Sequence, residues 1–334
     1  MGLPRIALAL GDPAGIGPEI ALKAALDARV HGICRPLLVG HRGVLDEHAR
    51  LCGLSPQVRG YRDAAAVDWD GEDDTLALLE LEPLAAHEFA LGEVRAAHGR
   101  AACDAARAAI AAALAGHVDA VVAAPQTETA IRLAGIAFDG YPSFVARCTG
   151  VAPEDAFLMI CFDDTRIVHA TLHVSLRQAI GLVTRARVAA VIGAADTALK
   201  RIGIAQPQLA VSGLNPHAGE DGMFGSEELE IIGPAIAAAK AAGIAVEGPF
   251  GADTMFHKTG FDAFIVMIHD QGHIAAKLLA RNRTAGLTIG TPVLFSSVAH
   301  GSALDIAGKN LASPAALIEA VQRLAGAAAV RQSG

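Results

Sequence analysis

The run Arg5-Ile-Ala-Leu-Ala-Leu10 passes directly into Gly11-Asp-Pro-Ala-Gly-Ile-Gly-Pro-Glu19, and that junction decides the fold class. Ile6 to Leu10 is an unbroken apolar run, which suits a strand covered on both faces. The three glycines let the chain turn tightly, and Pro18 suits the first turn of a helix. Strand, turn, helix then recurs along the chain. Strands are predicted over 5–10, 36–40, 75–81, 119–123, 156–161, 167–172, 208–212, 263–269 and 287–289. Helices are predicted over 18–27, 94–115, 127–133, 175–179, 185–201, 226–242, 272–279 and 314–328. The alternation predicts an α/β protein with mostly parallel sheets and helices on both faces.

The chain has 334 residues, which predicts two domains. Hydrophobic residues make up 52% and charged residues 19%, a globular composition, and only 4% are aromatic, so the core must be aliphatic and rich in alanine. Lys and Arg number 27 against 35 Asp and Glu, a net charge of −8, which lacks the basic footprint of a nucleic-acid binder. No stretch is long and apolar enough to predict a membrane span. The N-terminal apolar run is too short for a signal peptide. Cys34, Cys52, Cys103, Cys148 and Cys161 are scattered and form no CxxC, which predicts reduced thiols and a cytoplasmic setting. The acidic stretch 61–74 reads as a surface loop.

Chemistry in such folds gathers beyond the C-terminal ends of strands. Gly11, Asp12 and Gly15 form a strand-to-helix turn that reads either as an anion site or as a plain tight turn. His173, His217 and His269 each follow an apolar run, within TLHVS, GLNPHAGE and MIHDQGH. Singly, each reads as a hydrogen-bonded structural histidine. Converging, they would make an open three-nitrogen site for a divalent metal, and Asp253 and Asp270 could add carboxylates. Imidazoles favour a borderline ion such as zinc over magnesium, with manganese and cobalt also compatible. Lys277 is a candidate acid/base, or else a solvated helix lysine. In His300-Gly-Ser-Ala-Leu-Asp305, Gly301 shapes a loop around Ser302. Asp305 could accept both ribose hydroxyls, favouring NAD, with NADP the alternative.

Together GDPAGIGPEI, LAGIAFDG, GLNPHAGEDGMFG, GPFGADTMF, HDQGH and HGSALDIAG resemble the 4-hydroxythreonine-4-phosphate dehydrogenase family, in order and over nearly the whole chain. The first and last segments are also similar to isocitrate and isopropylmalate dehydrogenases. The resemblance implies a two-domain homodimer with its active site in the interdomain cleft. Residues 1–125 with 300–334 would form the cofactor-side domain, and 126–299 the domain of metal, substrate and dimer interface. It implies a metal on His173, His217 and His269, one of them from the neighbouring subunit. It further implies NAD(P)-linked oxidation of a secondary alcohol followed by decarboxylation.

The sequence departs from that family where a phosphorylated substrate would be gripped. Gly140-Tyr-Pro-Ser143 stands where the family has Gly-His-Thr-Glu, Gly286 where it has Asn, and Phe295 where it has Arg. Phenyl cannot replace bidentate guanidinium recognition of an anion. ETAIRLAGIAFDGYPS, RIVHATLH and HDQGHIAAKLLA look more like the terephthalate cis-dihydrodiol dehydrogenase branch. That likeness implies a cis-dihydrodiol dicarboxylate oxidised and decarboxylated to protocatechuate, with Tyr141, Pro142, Ser143, Lys277, Gly286 and Phe295 around its flat ring. Arg147, Arg177, Arg281 and Arg283 are the candidate partners for the carboxylates. The phosphorylated substrate is the rival within the family, and a non-catalytic small-molecule or metal binder is the rival outside it.

Overall fold

A computed structural model of the chain describes residues 2–69, 75–85, 87–280 and 284–333. The strands are β1 (Arg5–Ala9), β2 (Arg35–Gly40), β3 (Gln57–Tyr61), β4 (Thr75–Glu80), β5 (Ala120–Ala123), β6 (Phe157–Phe162), β7 (Thr165–His169), β8 (Leu209–Ser212), β9 (Val246–Phe250), β10 (Ala263–Val266), β11 (Ala285–Ile289) and β12 (Phe295–Val298). The helices are α1 (Gly17–Ala25), α2 (Ala28–His31), α3 (Arg42–Leu51), α4 (Ala96–Leu114), α5 (Glu128–Leu133), α6 (Tyr141–Thr149), α7 (Leu176–Leu182), α8 (Arg185–Arg201), α9 (Gly233–Ala241), α10 (His269–Ala280) and α11 (Ala315–Ser333). The expected mostly parallel α/β architecture is present.

The chain forms two compact units, 1–138 with 292–334, and 139–291. In the first, strands run in the order β3-β4-β2-β1-β5-β12, all parallel. Ile6, Leu8, Leu37 and Leu38 are fully buried in this sheet, beneath Ile20 and Leu22 of α1 and Ile110 of α4. Close approach replaces bulk as the packing device. A side chain at Gly99 on α4 would collide with the backbone of Ala130 on α5. Buried alanines line α4, so the low aromatic content reflects backbones packed near one another.

In the second unit the order is β11-β6-β7-β10-β8-β9. β11, β6 and β7 pair antiparallel, whereas β7, β10, β8 and β9 are parallel. Several of the chain's phenylalanines gather here. Phe256 lies 5.3 Å from Phe264, and Phe261 lies 6.0 Å from Phe250 and 6.3 Å from Phe264, between ring centroids. Ala276 and Ala280 of α10 pack into this cluster. That anchors the helix bearing the candidate catalytic side chains.

The five cysteines are free, and burial pushes the Cys34 thiol up to about 12, so it is inert. Among the described residues no single helix is long and apolar enough to cross a membrane.

Candidate active site

β7, β10 and β8 are adjacent and parallel, so their C-terminal ends emerge at one edge. His173 follows β7, His269 follows β10 and His217 follows β8. The strand expected over 263–269 ends at Val266, and His269 instead opens α10. Gln271 makes this break. Its Oε1 accepts the Met267 and Ile268 N–H groups (2.9 and 3.2 Å), and its Nε2 donates to the Gly213 carbonyl at 3.0 Å. The backbone groups released from the ladder are thereby satisfied.

The His173 and His269 rings converge, with centroids 5.7 Å apart. His173 Nδ1 donates to the Asp139 carbonyl at 3.1 Å, and His269 Nδ1 lies 2.7 Å from Asp270 Oδ1. A carbonyl or carboxylate on Nδ1 leaves the Nε2 lone pair for a metal, the arrangement that orients imidazole ligands. These two side chains therefore fit a divalent ion. His217 is not with them. Its ring lies against Phe224, 6.1 Å between centroids, and among the described residues no three His, Cys, Asp or Glu side chains stand ready to hold an ion.

Two further histidines join this cluster that sequence reading passed over. His273 stacks on His269 with centroids 3.7 Å apart and planes 7° from parallel, and its Nδ1 lies 3.1 Å from His169 Nε2. The i, i+4 spacing within HDQGH was the available signal. His169 is 1% exposed. Burial, then His273, pushes its imidazole down to about 3; burial, then His269, pushes His273 down to about 4. An unfolded histidine titrates near 6.5. The unfolded chain therefore takes up protons first as pH falls, so this stabilisation is full above about pH 6.5 and is lost toward pH 4 and 3. Melting temperatures should accordingly decline as pH is lowered below 6.5. His169→Leu should flatten that decline; equal slopes would exclude the buried pair as its origin.

Tyr141, Pro142 and Ser143 form the first turn of α6, next to His173. Gly140, at φ +120°, leads into it, and a Cβ there would sit 3.4 Å from His173 Nδ1. Ser143 Oγ donates to Asp139, as does Arg147, at 3.2 Å. A cavity of about 120 Å³ is lined by Asp139, Pro142, Ser143, His169, His173 and Arg187. Beside it, His173, Leu176, Gln178, Ile268, His269 and Asp270 line a groove of about 540 Å³.

Arg187 is the cavity's guanidinium, with Nε donating to the Ala170 carbonyl at 2.6 Å, and burial pushes its pKa down. It was not among the expected carboxylate partners. Of those, Arg177 is exposed on α7, and Arg281 and Arg283 lie outside the described residues. Lys277 is exposed on α10, near enough to help depress the His273 pKa. The expectation for Gly286 and Phe295 needs correction. Gly286 is buried in β11, and Phe295 is 1% exposed in the core of the first unit, so neither offers surface to a ligand.

His217 sits on an unusual turn. His217, Ala218, Gly219, Glu220 and Asp221 have φ of 52°, 52°, 83°, 43° and 53°. Left-handed backbone strains each non-glycine residue by about 1–2 kcal/mol. Glu228 holds the turn. Its Oε1 accepts the Leu214 and Asn215 N–H groups (2.7 and 2.8 Å), and its Oε2 accepts from Asn215 Nδ2 (2.9 Å). Burial raises this carboxyl, but those hydrogen bonds prevail and hold it below the usual range. Asp253 is exposed on the loop after β9, whose Gly251 lies beside His217.

The expected cofactor segments meet within the first unit. Ile16 N–H donates to the Ser302 carbonyl at 2.8 Å, and Thr127 Oγ1 donates to Ser302 Oγ at 2.9 Å. A Cβ at Gly11 would strike the Pro125 and Ala124 carbonyls, and one at Gly15 would strike Ser302. Both glycines are thus explained by close packing of protein on protein. Asp12 is 1% exposed and accepts the Ala14 N–H at 2.9 Å. His300 Nδ1 lies 3.2 Å from the carbonyl of Gly301, itself exposed. Asp305 is exposed on the turn Leu304–Ile306.

The family model for pyridoxal phosphate biosynthetic protein PdxA matches residues 32–324. The chain belongs to the PdxA family. A 1,2-dihydroxy-3,5-cyclohexadiene-1,4-dicarboxylate dehydrogenase from Comamonas sp is 39% identical over 322 residues, covering 96% of each chain. The crystal structure of a terephthalate 1,2-cis-dihydrodioldehydrogenase from Burkholderia xenovorans LB400 is 41% identical, with TM-score 0.72, covering 97% of this chain and 98% of that one. That of a 4-hydroxythreonine-4-phosphate dehydrogenase from Klebsiella pneumoniae is 35% identical, with TM-score 0.85, covering 98% of each. Relatives named for either substrate match nearly the whole chain, so the choice of substrate falls to the chemistry of the site.

Proposed function

We propose that this PdxA-family chain, an oxidoreductase acting on a hydroxyl group like its named relatives, carries out metal-dependent, NAD-linked oxidative decarboxylation of a cis-dihydrodiol dicarboxylate. The observation that carries the reading is the first turn of α6 against His173. Pro142 has no N–H, and Ser143 Oγ is committed to Asp139. Pro142 and the committed Ser143 hydroxyl thus withhold two donors from a phosphate, and Tyr141 adds an aromatic ring to the same turn.

When bound, a divalent metal supplies Lewis acidity at the substrate oxygens and NAD accepts the hydride. His173 and His269 would hold the metal through Nε2, with His217 as third nitrogen and one of the three brought by a second copy. The exposed apolar residues Ile274, Leu278 and Leu279 of α10 and Leu176 and Ile180 of α7 are consistent with such a homodimer. Lys277 Nζ takes the hydroxyl proton. Arg187, with N–H groups beyond those given to carbonyls, meets a ring carboxylate. Asp305 orients the cofactor ribose. The free thiols suit a reducing cytoplasm.

The second reading, a phosphorylated hydroxy-amino acid substrate, draws on the closer superposition with the Klebsiella enzyme. Absorbance at the nicotinamide band, with each substrate and with or without chelator, separates the two. Reduced cofactor is expected with the dihydrodiol alone, and only without chelator. Faster turnover of the phosphorylated substrate would overturn the substrate assignment, and activity that survives chelation would overturn the metal. Lys277→Met should lower kcat by about 10²-fold with metal content intact; an unchanged kcat would remove Lys277 from proton transfer.

A further inference from the structure

We infer that His273 and His169 form a positioning pair that fixes the His269 imidazole for metal binding, without either ring being a ligand. The inference rests on the metal reading above. His273 lies one turn along α10 from His269 and stacks face to face with it at 3.7 Å, 7° from parallel. A ring in that position blocks rotation of the His269 side chain. His273 is itself pinned from below, since its Nδ1 lies 3.1 Å from Nε2 of His169.

His169 cannot move to follow. It ends β7, where it pairs with Val266 of β10, and it is 1% exposed. Across the contact between His169 and His273 one nitrogen donates and the other accepts, so each ring holds the other in place. The fit is built on both sides. A Cβ at Gly272 would collide with the His169 ring, so glycine is required there for the helix to settle over it. The sheet core, His169, His273 and His269 thus form one continuous column. The stacked geometry also argues against His273 as a ligand, because parallel faces at this separation do not aim both Nε2 lone pairs at one ion.

The test is zinc affinity by chelator competition on the full chain, with the melting temperature of the metal-free protein measured alongside. His273→Ala should weaken zinc binding about 10–100-fold, as loss of a ligand's supporting partner does, with KM rising more than kcat falls. His273→Phe restores a stacking face but not the bond to His169, and should bind zinc about tenfold more weakly than wild type, yet tighter than His273→Ala. His169→Leu, which removes the pin but fills the space, should weaken zinc about tenfold and carries the test if His273→Ala fails to fold. Wild-type affinity in both His273→Ala and His169→Leu would overturn the pair. So would His273→Phe binding as poorly as His273→Ala, since the stacked face would then contribute nothing to holding His269. A wild-type protein that binds no divalent metal would overturn the underlying reading as well, a result distinguishable from the others.

Discussion

His269→Ala is expected to abolish metal retention and to lower turnover by about 10³-fold. The magnitude follows from the role. Polarising a substrate oxygen is worth several kcal/mol, and roughly 4 kcal/mol corresponds to three decades in rate. His269 is the point where the most structure converges: it opens α10, faces His173 at 5.7 Å, bonds Asp270 and carries the His273 stack. Metal content after gel filtration and the rate of cofactor reduction give two independent readouts. A variant that keeps its metal and its rate would remove His269 from the chemistry.

Gly11→Ala is expected to destabilise the first unit by about 3 kcal/mol. Gly11 holds φ +70°, where alanine is strained by about 1 kcal/mol. Its new Cβ would also overlap the carbonyls of Pro125 and Ala124, and such overpacking costs about 1–3 kcal/mol. For a unit of this size that corresponds to a fall in Tm of about 6–12 °C. Zinc affinity, which belongs to the other unit, should stay at the wild-type value. Scanning calorimetry with and without zinc checks both halves. A melting temperature within about 2 °C of wild type would show that the turn has room the packing denies it.

The elements legible in the sequence were those whose pattern is set by burial alone. β1, β2, β5 and β8 each hold a buried apolar run, and α8 spans its predicted 185–201 because its amphipathic period is long. The missed strands each carry a disguise: Gly248-Pro249 interrupts β9, two serines dilute β12, and β3 is an exposed edge strand. α6 is absent from the predicted helices because the likeness marks Tyr141-Pro142-Ser143 for substrate, although proline in a first turn is also a helix start. α3 escaped although its buried Val44, Leu45, His48 and Ala49 recur at helical spacing.

The site divides in the same way. His173 and His269 stood out because each directly follows an apolar run, so position alone exposes them. Arg187 and His169 did not, because their roles depend on what lies across the fold. Phe295 is expected at a ligand surface from the family likeness, yet on β12, parallel to β5, it is 1% exposed and belongs to the core. A resemblance can locate a residue along the chain without saying which way it faces.

The left-handed turn at 217–221 bears on how this chain could diverge. Inserting or deleting one residue there would reset the handedness of the whole run and swing the imidazole elsewhere, so the segment can drift in composition but not in length.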